Sequence, residues 1–276
     1  MQLMPRYDAP PVIAIEIYAD IYAPFQRQRR RMAAMLTELD AADWNADTRC
    51  DAWTVHDVVA HLAGVNTFWW HSITAGLEGN PTRHLATFDP AATPDLMISP
   101  MRDMSSHALL DGFIASNEAL IDVLTDMDEI SWETLAEAPP GHLPIRIVAH
   151  HALWDAWIHE RDILLPLGII PPEEADEVLA SLRYVAALNP ALAIGTGTAT
   201  PGVLAIESDS PKASLLLTIA ESVTVADVEI PSTVPRLVGN APQLVDALSI
   251  RGPLPTSTPD EWLQLRDGLA SAFDTP

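Results

Sequence analysis

The run Ile147-Val148-Ala149-His150-His151-Ala152-Leu153-Trp154-Asp155-Ala156-Trp157-Ile158-His159-Glu160-Arg161-Asp162 decides the architecture. Wound as an α-helix it is apolar on most of its circumference, and a helix of that kind is buried. One polar stripe interrupts the apolar surface. His151, Asp155, His159 and Asp162 are spaced four or three apart and stack on a single face. A buried stripe needs partners, because an isolated carboxylate in a low-dielectric interior is strongly disfavoured unless paired, hydrogen-bonded or coordinated.

Outward from this helix, Pro144 suits its first turn and Gly168 its C-terminal stop. Upstream, apolar periodicity predicts helices over residues 17–40, 54–77 and 105–128. Pro24 either kinks the first or marks its true first turn, and Thr54 with Asp57 reads as a capping box opening the second. Pro139-Pro140-Gly141 breaks the chain before the fourth. Four long helices amount to a bundle. The remainder changes character, with a helix expected from Pro172 to Leu188 and strands over 203–208, 214–220 and 222–228. A short helix follows from Asn240 to Leu248, and a last one from Asp260 to Phe273. The expected fold class is α+β, with a four-helix bundle over residues 1–170 and a small α+β domain over residues 171–276.

The 276 residues carry 38 Asp and Glu against 15 Lys and Arg, a formal charge of -23 that opposes broad contact with nucleic-acid phosphate or anionic lipid. No uninterrupted apolar run reaches the roughly 18 residues of a membrane helix, and no basic segment leads into a greasy one at the N-terminus. A cytoplasmic protein without nucleic-acid or membrane partners is expected. Cys50 is the single cysteine, which excludes an intrachain disulfide and a multi-thiolate zinc site.

Any metal would therefore rest on His and carboxylate. On the second helix His61 shares a face with Val58, Val65 and Phe68 and points to the core. With Asp155 and His159 it makes two imidazoles and one carboxylate, a three-donor set that leaves positions open for water or substrate. Zinc is the first choice, and iron, nickel or manganese accept the same donors. The residues alone also allow a satisfied core His61 beside an ion-paired Asp155 and His159. Cys50 and the tryptophans Trp69, Trp70, Trp154 and Trp157 read as core packing, Arg27 and Arg29 to Arg31 as a solvated helix face, and Asp162 as support for His159 or Arg161.

Trp53-Thr54-Val55-His56-Asp57-Val58-Val59-Ala60-His61-Leu62, with Cys50 before it, resembles the second-helix signature of mycothiol-dependent maleylpyruvate isomerase-like proteins of the DinB-like superfamily. Trp154 to Asp162 is similar to that family's fourth-helix motif, with Asp155 standing where the family often carries Glu. Leu237 to Gly252 is similar to its smaller, sterol-carrier-like α+β domain. The resemblance implies His61, Asp155 and His159 as ligands of a divalent metal and mycothiol as thiol cosubstrate. It further implies that Arg251 serves catalysis and cosubstrate binding, holding a substrate carboxylate, while His151 supports the ligands as a catalytic side chain. The expected activity is a thiol-using isomerase or transferase acting on a small electrophile, in a monomer or homodimer. A hydrolase or lyase using metal-bound water, and a non-catalytic metal-binding regulator, stay open on the same scaffold.

Overall fold

The computed structural model describes residues 3–16 and 20–265. A short strand β1 (Ile13–Ile15) precedes helix α1 (Tyr22–Thr37). Pro24 falls in the first turn of α1, where a missing N–H costs nothing, so it marks a beginning and not a kink. The expected start at Ile17 lies outside the described residues. Helix α2 (Val55–Leu77) opens on the predicted capping box: Thr54 Oγ1 accepts the Asp57 N–H, and Asp57 accepts the Thr54 N–H. The short helix α3 (Thr93–Ile98) lies in the connection to α4 (Ser106–Leu124). One turn, α5 (Glu129–Trp132), leads into an antiparallel hairpin of β2 (Leu135–Ala138) and β3 (Gly141–Pro144), and β3 runs directly into α6 (Ile145–Leu164).

The Pro-Pro-Gly break is the tip of that hairpin. Gly141 has φ +133°, and a Cβ there would stand 2.7 Å from backbone atoms of Arg6, so only glycine fits. Between Ile147 and Leu164 every residue of α6 except Asp155 is buried, as its apolar circumference requires.

Helix α7 (Ala175–Gly195) extends beyond the expected end at Leu188 and passes through Pro190. Proline inside a helix costs about 3 kcal/mol, but every residue from Ser181 to Ala193 is buried, and that packing overrides the local preference. By length and hydropathy α7 could cross a membrane, although Glu177 and Arg183 interrupt its apolar run. Its most apolar window is 83% buried, which makes it the core helix of the molecule.

Strands β4 (Gly202–Asp209), β5 (Lys212–Ile219), β6 (Val223–Asp227) and β7 (Arg236–Gly239) follow, then α8 (Ala241–Leu248). The sheet order is β1-β6-β5-β4-β7, with the pairs β4–β5 and β5–β6 antiparallel and both outer strands, β1 and β7, parallel to their neighbours. Strand β1 thus joins a sheet otherwise built after residue 200, and one apolar core runs on from α6 through α7 to Leu215 and Val225. Residues 260–265 are helical as expected, and the rest of that predicted helix lies outside the described residues.

The basic run of α1 departs from expectation. Arg29 is buried, stacks its guanidinium 3.9 Å over the Phe25 ring and donates to Ala152 O and Asn66 Oδ1. Arg31 bridges buried Glu160 and Glu177 at 2.8 and 2.7 Å, binding α1 to α6 and α7. Arg27 and Arg30 keep to a solvated face, the first paired with Asp176 and Glu177 and the second with Glu118.

Candidate active site

Helices α2 and α6 pack together and carry His61 on one, Asp155 and His159 on the other. One ligand-capable atom from each of the three lies within 4.8 Å of the other two. Nε2 of His159 stands 3.7 Å from Asp155 Oδ1, while its Nδ1 is 3.0 Å from Asp162 Oδ2. The His61 ring lies 5.0 Å from that of His159 and 5.1 Å from Trp53. His61 has no hydrogen-bond partner among the described residues, and its Nδ1 is fully buried. An orphaned buried nitrogen is disfavoured by about 1–3 kcal/mol, and a convergent set of two imidazoles and a carboxylate fits a divalent metal.

The electrostatics agree with that fit. Burial, helped by His159 and Arg251, holds the His61 imidazole well below its usual range, so it stands neutral with a lone pair to offer. Burial raises the Asp155 carboxyl, opposed by His159 and Arg29. Burial also disfavours charge on His159, but the hydrogen bond to Asp162 and the neighbouring Cys50 and Asp155 push it up to about 10. The ring is a cation between two carboxylates. Replacing the Nε2 proton by a metal, with Nδ1–H kept on Asp162, preserves that charge pattern and orients the imidazole.

Asp162 is fully buried and joins three segments of the chain. It accepts from Arg49 Nε at 2.8 Å, from Arg251 Nε at 3.1 Å to both oxygens, and from the Cys50 thiol at 3.3 Å. Burial alone would raise its carboxyl, yet His159 and the guanidinium groups of Arg251 and Arg49 hold it well below the usual range. Arg251 also donates from Nη2 to Cys50 Sγ at 3.4 Å, and only 8% of its side chain is exposed. It is a buried ion pair on the site wall and not a surface one. Cys50, expected to be simple packing, belongs to this polar cluster, and Asp162 supports His159 and not Arg161, whose partners are Glu173 and Asp246. Arg49 was not expected, and no local sequence signal marks it, because its partner Asp162 is distant in the chain.

The approach of Arg251 depends on how α8 ends. Arg251 N–H bonds to Asp246 O at 2.7 Å and Ile250 N–H to Ala247 O at 3.3 Å, a helix stop that leaves Ile250 at φ +64°. Glycine normally takes that position, and a β-branched side chain there is strained. Trp154 Nε1 donates to Ser249 Oγ at 2.9 Å and pins the same turn to α6.

His151 lies outside the donor group, on the cavity wall one turn before Asp155. Its Nδ1 is 2.5 Å from the Tyr184 hydroxyl on α7, and burial lowers the imidazole to about 3, so the ring is neutral. Burial and Asp155 hold the Tyr184 phenol protonated. Only donation from Tyr184 to Nδ1 gives that hydroxyl proton an acceptor, which places the ring proton on Nε2. Nε2 has no hydrogen-bond partner among the described residues, leaving a neutral N–H donor beside the cavity.

That cavity measures about 410 Å³ and has His61, Asp155 and His159 in its wall. Trp69 and Trp154 also line it, whereas Trp70, read as core, is 41% exposed. The segment from His84 to Met97 forms another side of the cavity and hangs from Glu137. This buried carboxylate accepts the backbone N–H groups of His84 and Leu85 at 2.9 and 2.7 Å, the Thr82 hydroxyl at 2.6 Å and the Tyr7 hydroxyl.

The family model described as mycothiol maleylpyruvate isomerase N-terminal domain matches residues 25–164, which span α1 to α6 and all three candidate donors. Among solved structures, the crystal structure of the mycothiol-dependent maleylpyruvate isomerase is similar at TM-score 0.60 and 17% identity, over 84% of this chain and 88% of that one. A histidine-to-alanine mutant of that enzyme aligns with the same values. No curated protein matches the chain in sequence.

Proposed function

Because the chain belongs to the mycothiol maleylpyruvate isomerase N-terminal domain family, we propose that it is a metal-dependent enzyme that uses a mycothiol-type thiol to isomerise, or to be transferred to, a small electrophile. The observation that carries this reading is the convergence of His61, Asp155 and His159 on one cavity wall beside a buried Arg251. These three side chains hold the ion, with zinc favoured and iron, nickel or manganese compatible. In this reading residues 1–170 supply the donors and residues 171–276 supply Arg251. Bound there, a divalent ion supplies the charge that keeps a cosubstrate thiol deprotonated near neutral pH.

The residues divide the remaining work. Asp162 accepts the hydrogen bond of His159 Nδ1–H and leaves Nε2 facing Asp155. The thiolate sulfur bonds to the β-carbon of a conjugated carbonyl compound, and the alkene π pair shifts toward the carbonyl oxygen, where His151 Nε2–H meets the developing charge. The former double bond rotates, the pair returns, the C–S bond breaks and the thiolate leaves with the isomer formed. In a transfer, the α-carbon instead takes a proton from water and the adduct is released. Arg251, held on Asp162, faces the thiol or a single substrate carboxylate.

Substitution of His61→Ala tests the reading. Bound metal, measured by elemental analysis, and thiol-dependent turnover are both expected to disappear while the fold survives, since His61 makes no hydrogen bond among the described residues. Full turnover by a metal-free His61→Ala protein would overturn it.

A further inference from the structure

The cavity carries a second message, about the electrophile itself. Away from the donors its wall is built from Val65, Phe68 and Trp69 of α2, Ile158 of α6, and Phe88 and Met97 of the segment hung from Glu137. Phe68 and Trp69 meet edge to face at 4.7 Å, so this part of the wall is an apolar aromatic corner. Arg251 is the only Lys or Arg lining the cavity among the described residues, and it arrives with its own counterion, Asp162, already in contact. His151 is neutral there, and His84 stands exposed on the outer segment, stacked 5.5 Å from His71. The charge of a divalent ion is matched by Asp155 together with the thiolate. A ligand with two carboxylates would therefore bury at least one of them without a cationic partner, which is strongly disfavoured.

Resting on the thiol-dependent reading above, we propose that the electrophile is a neutral, apolar-bodied conjugated carbonyl compound, of the aryl enone class, and that unsaturated dicarboxylates are rejected. The aromatic body lies against Phe68, Trp69 and Phe88, and the carbonyl oxygen accepts from His151 Nε2. Specificity then lies in the apolar wall, with Phe88 its contribution from outside the bundle helices.

Binding and turnover separate this proposal from the reading it rests on. Titration of the metal-loaded full chain, saturated with mycothiol, with the unreactive ketone 4-phenylbutan-2-one and with succinate, followed by calorimetry, should show the ketone binding at least about ten-fold tighter. Phe88→Asp should weaken ketone binding by about ten-fold or more, and Phe88→Leu should restore most of it. Equal or tighter binding of succinate, binding of neither probe, or ketone affinity unchanged in Phe88→Asp would each overturn the proposal. A parallel assay of mycothiol consumption with 4-phenylbut-3-en-2-one and with fumarate adds the chemistry. Faster consumption with fumarate overturns the substrate class while leaving the thiol-dependent reading intact. Selective ketone binding with no thiol consumed by either compound supports the cavity's apolar selectivity and removes the thiol-dependent reading instead.

Discussion

Nδ1 of His159 is bonded at 3.0 Å to Asp162 Oδ2, three residues on along the same helix, and this contact turns the ring so that Nε2 faces Asp155 and His61. A carboxylate behind a ligating imidazole fixes its tautomer and raises its basicity.

Asp162→Asn keeps the size and one acceptor oxygen but removes the charge. Metal affinity is expected to fall about 10–100-fold, measured by competition with a chelator. Arg49 and Arg251 lose their shared counterion in the same variant, so a lower Tm should accompany the weaker binding. Unchanged affinity would mean that the contact does not orient the ring.

Glu137→Gln tests the suspension of the segment beside the cavity. A Gln side chain has one acceptor oxygen where Glu137 now receives four donors, so at least one N–H or O–H is left facing an NH₂ group. Each buried donor left unpaired costs about 1–3 kcal/mol. Hydrogen exchange should quicken at the His84 and Leu85 amides and stay unchanged in α6.

Acid should destabilise the metal-stripped protein well above the carboxylate range. In the unfolded chain both His150 and His151 take up a proton near pH 6.5. Burial in the folded protein delays this to about 4 for His150 and about 3 for His151. The unfolded state therefore binds more protons between these values, and stability present above about pH 6.5 is lost progressively as the pH falls. The slope of Tm between pH 6.5 and 4.5 should be shallower in His151→Gln than in the parent, and equal slopes would contradict this.

Arg31→Met removes the one cation among the described residues that touches both Glu160 and Glu177. Breaking a buried pair from one side costs about 3–5 kcal/mol, visible as a shift in the denaturation midpoint. The triple variant Arg31→Met, Glu160→Gln, Glu177→Gln should recover a large part of that loss, because no buried charge is then left uncompensated.

The bundle helices were legible because each is long enough to show its period and is punctuated by a cap or a breaker, as Thr54 and Gly168 illustrate. Strands β1, β2, β3 and β7 have three or four residues each, too few for alternation to register. Ile13 also finds its partner only at Val223, a relationship that no local pattern carries. Within the site, His61, Asp155 and His159 could be picked out by helical spacing and by the family resemblance. Cys50 and Arg49 could not, since their meaning comes from Asp162 more than 100 residues downstream. The same holds for Arg29 and Arg31: a string of arginines reads as solvated until α6 and Asn66 are folded onto the first and Glu160 and Glu177 onto the second.

The pairing of Ile13 with Val223 has a consequence for synthesis. A ribosome extrudes the N-terminus first, so a nascent chain emerged only through α6 already holds every candidate donor. It has neither a neighbour for β1 nor the arginine that reaches Asp162 from beyond α8. The candidate donors are thus in place early in synthesis, but the wall around them is complete only once residues 223 and 251 have followed.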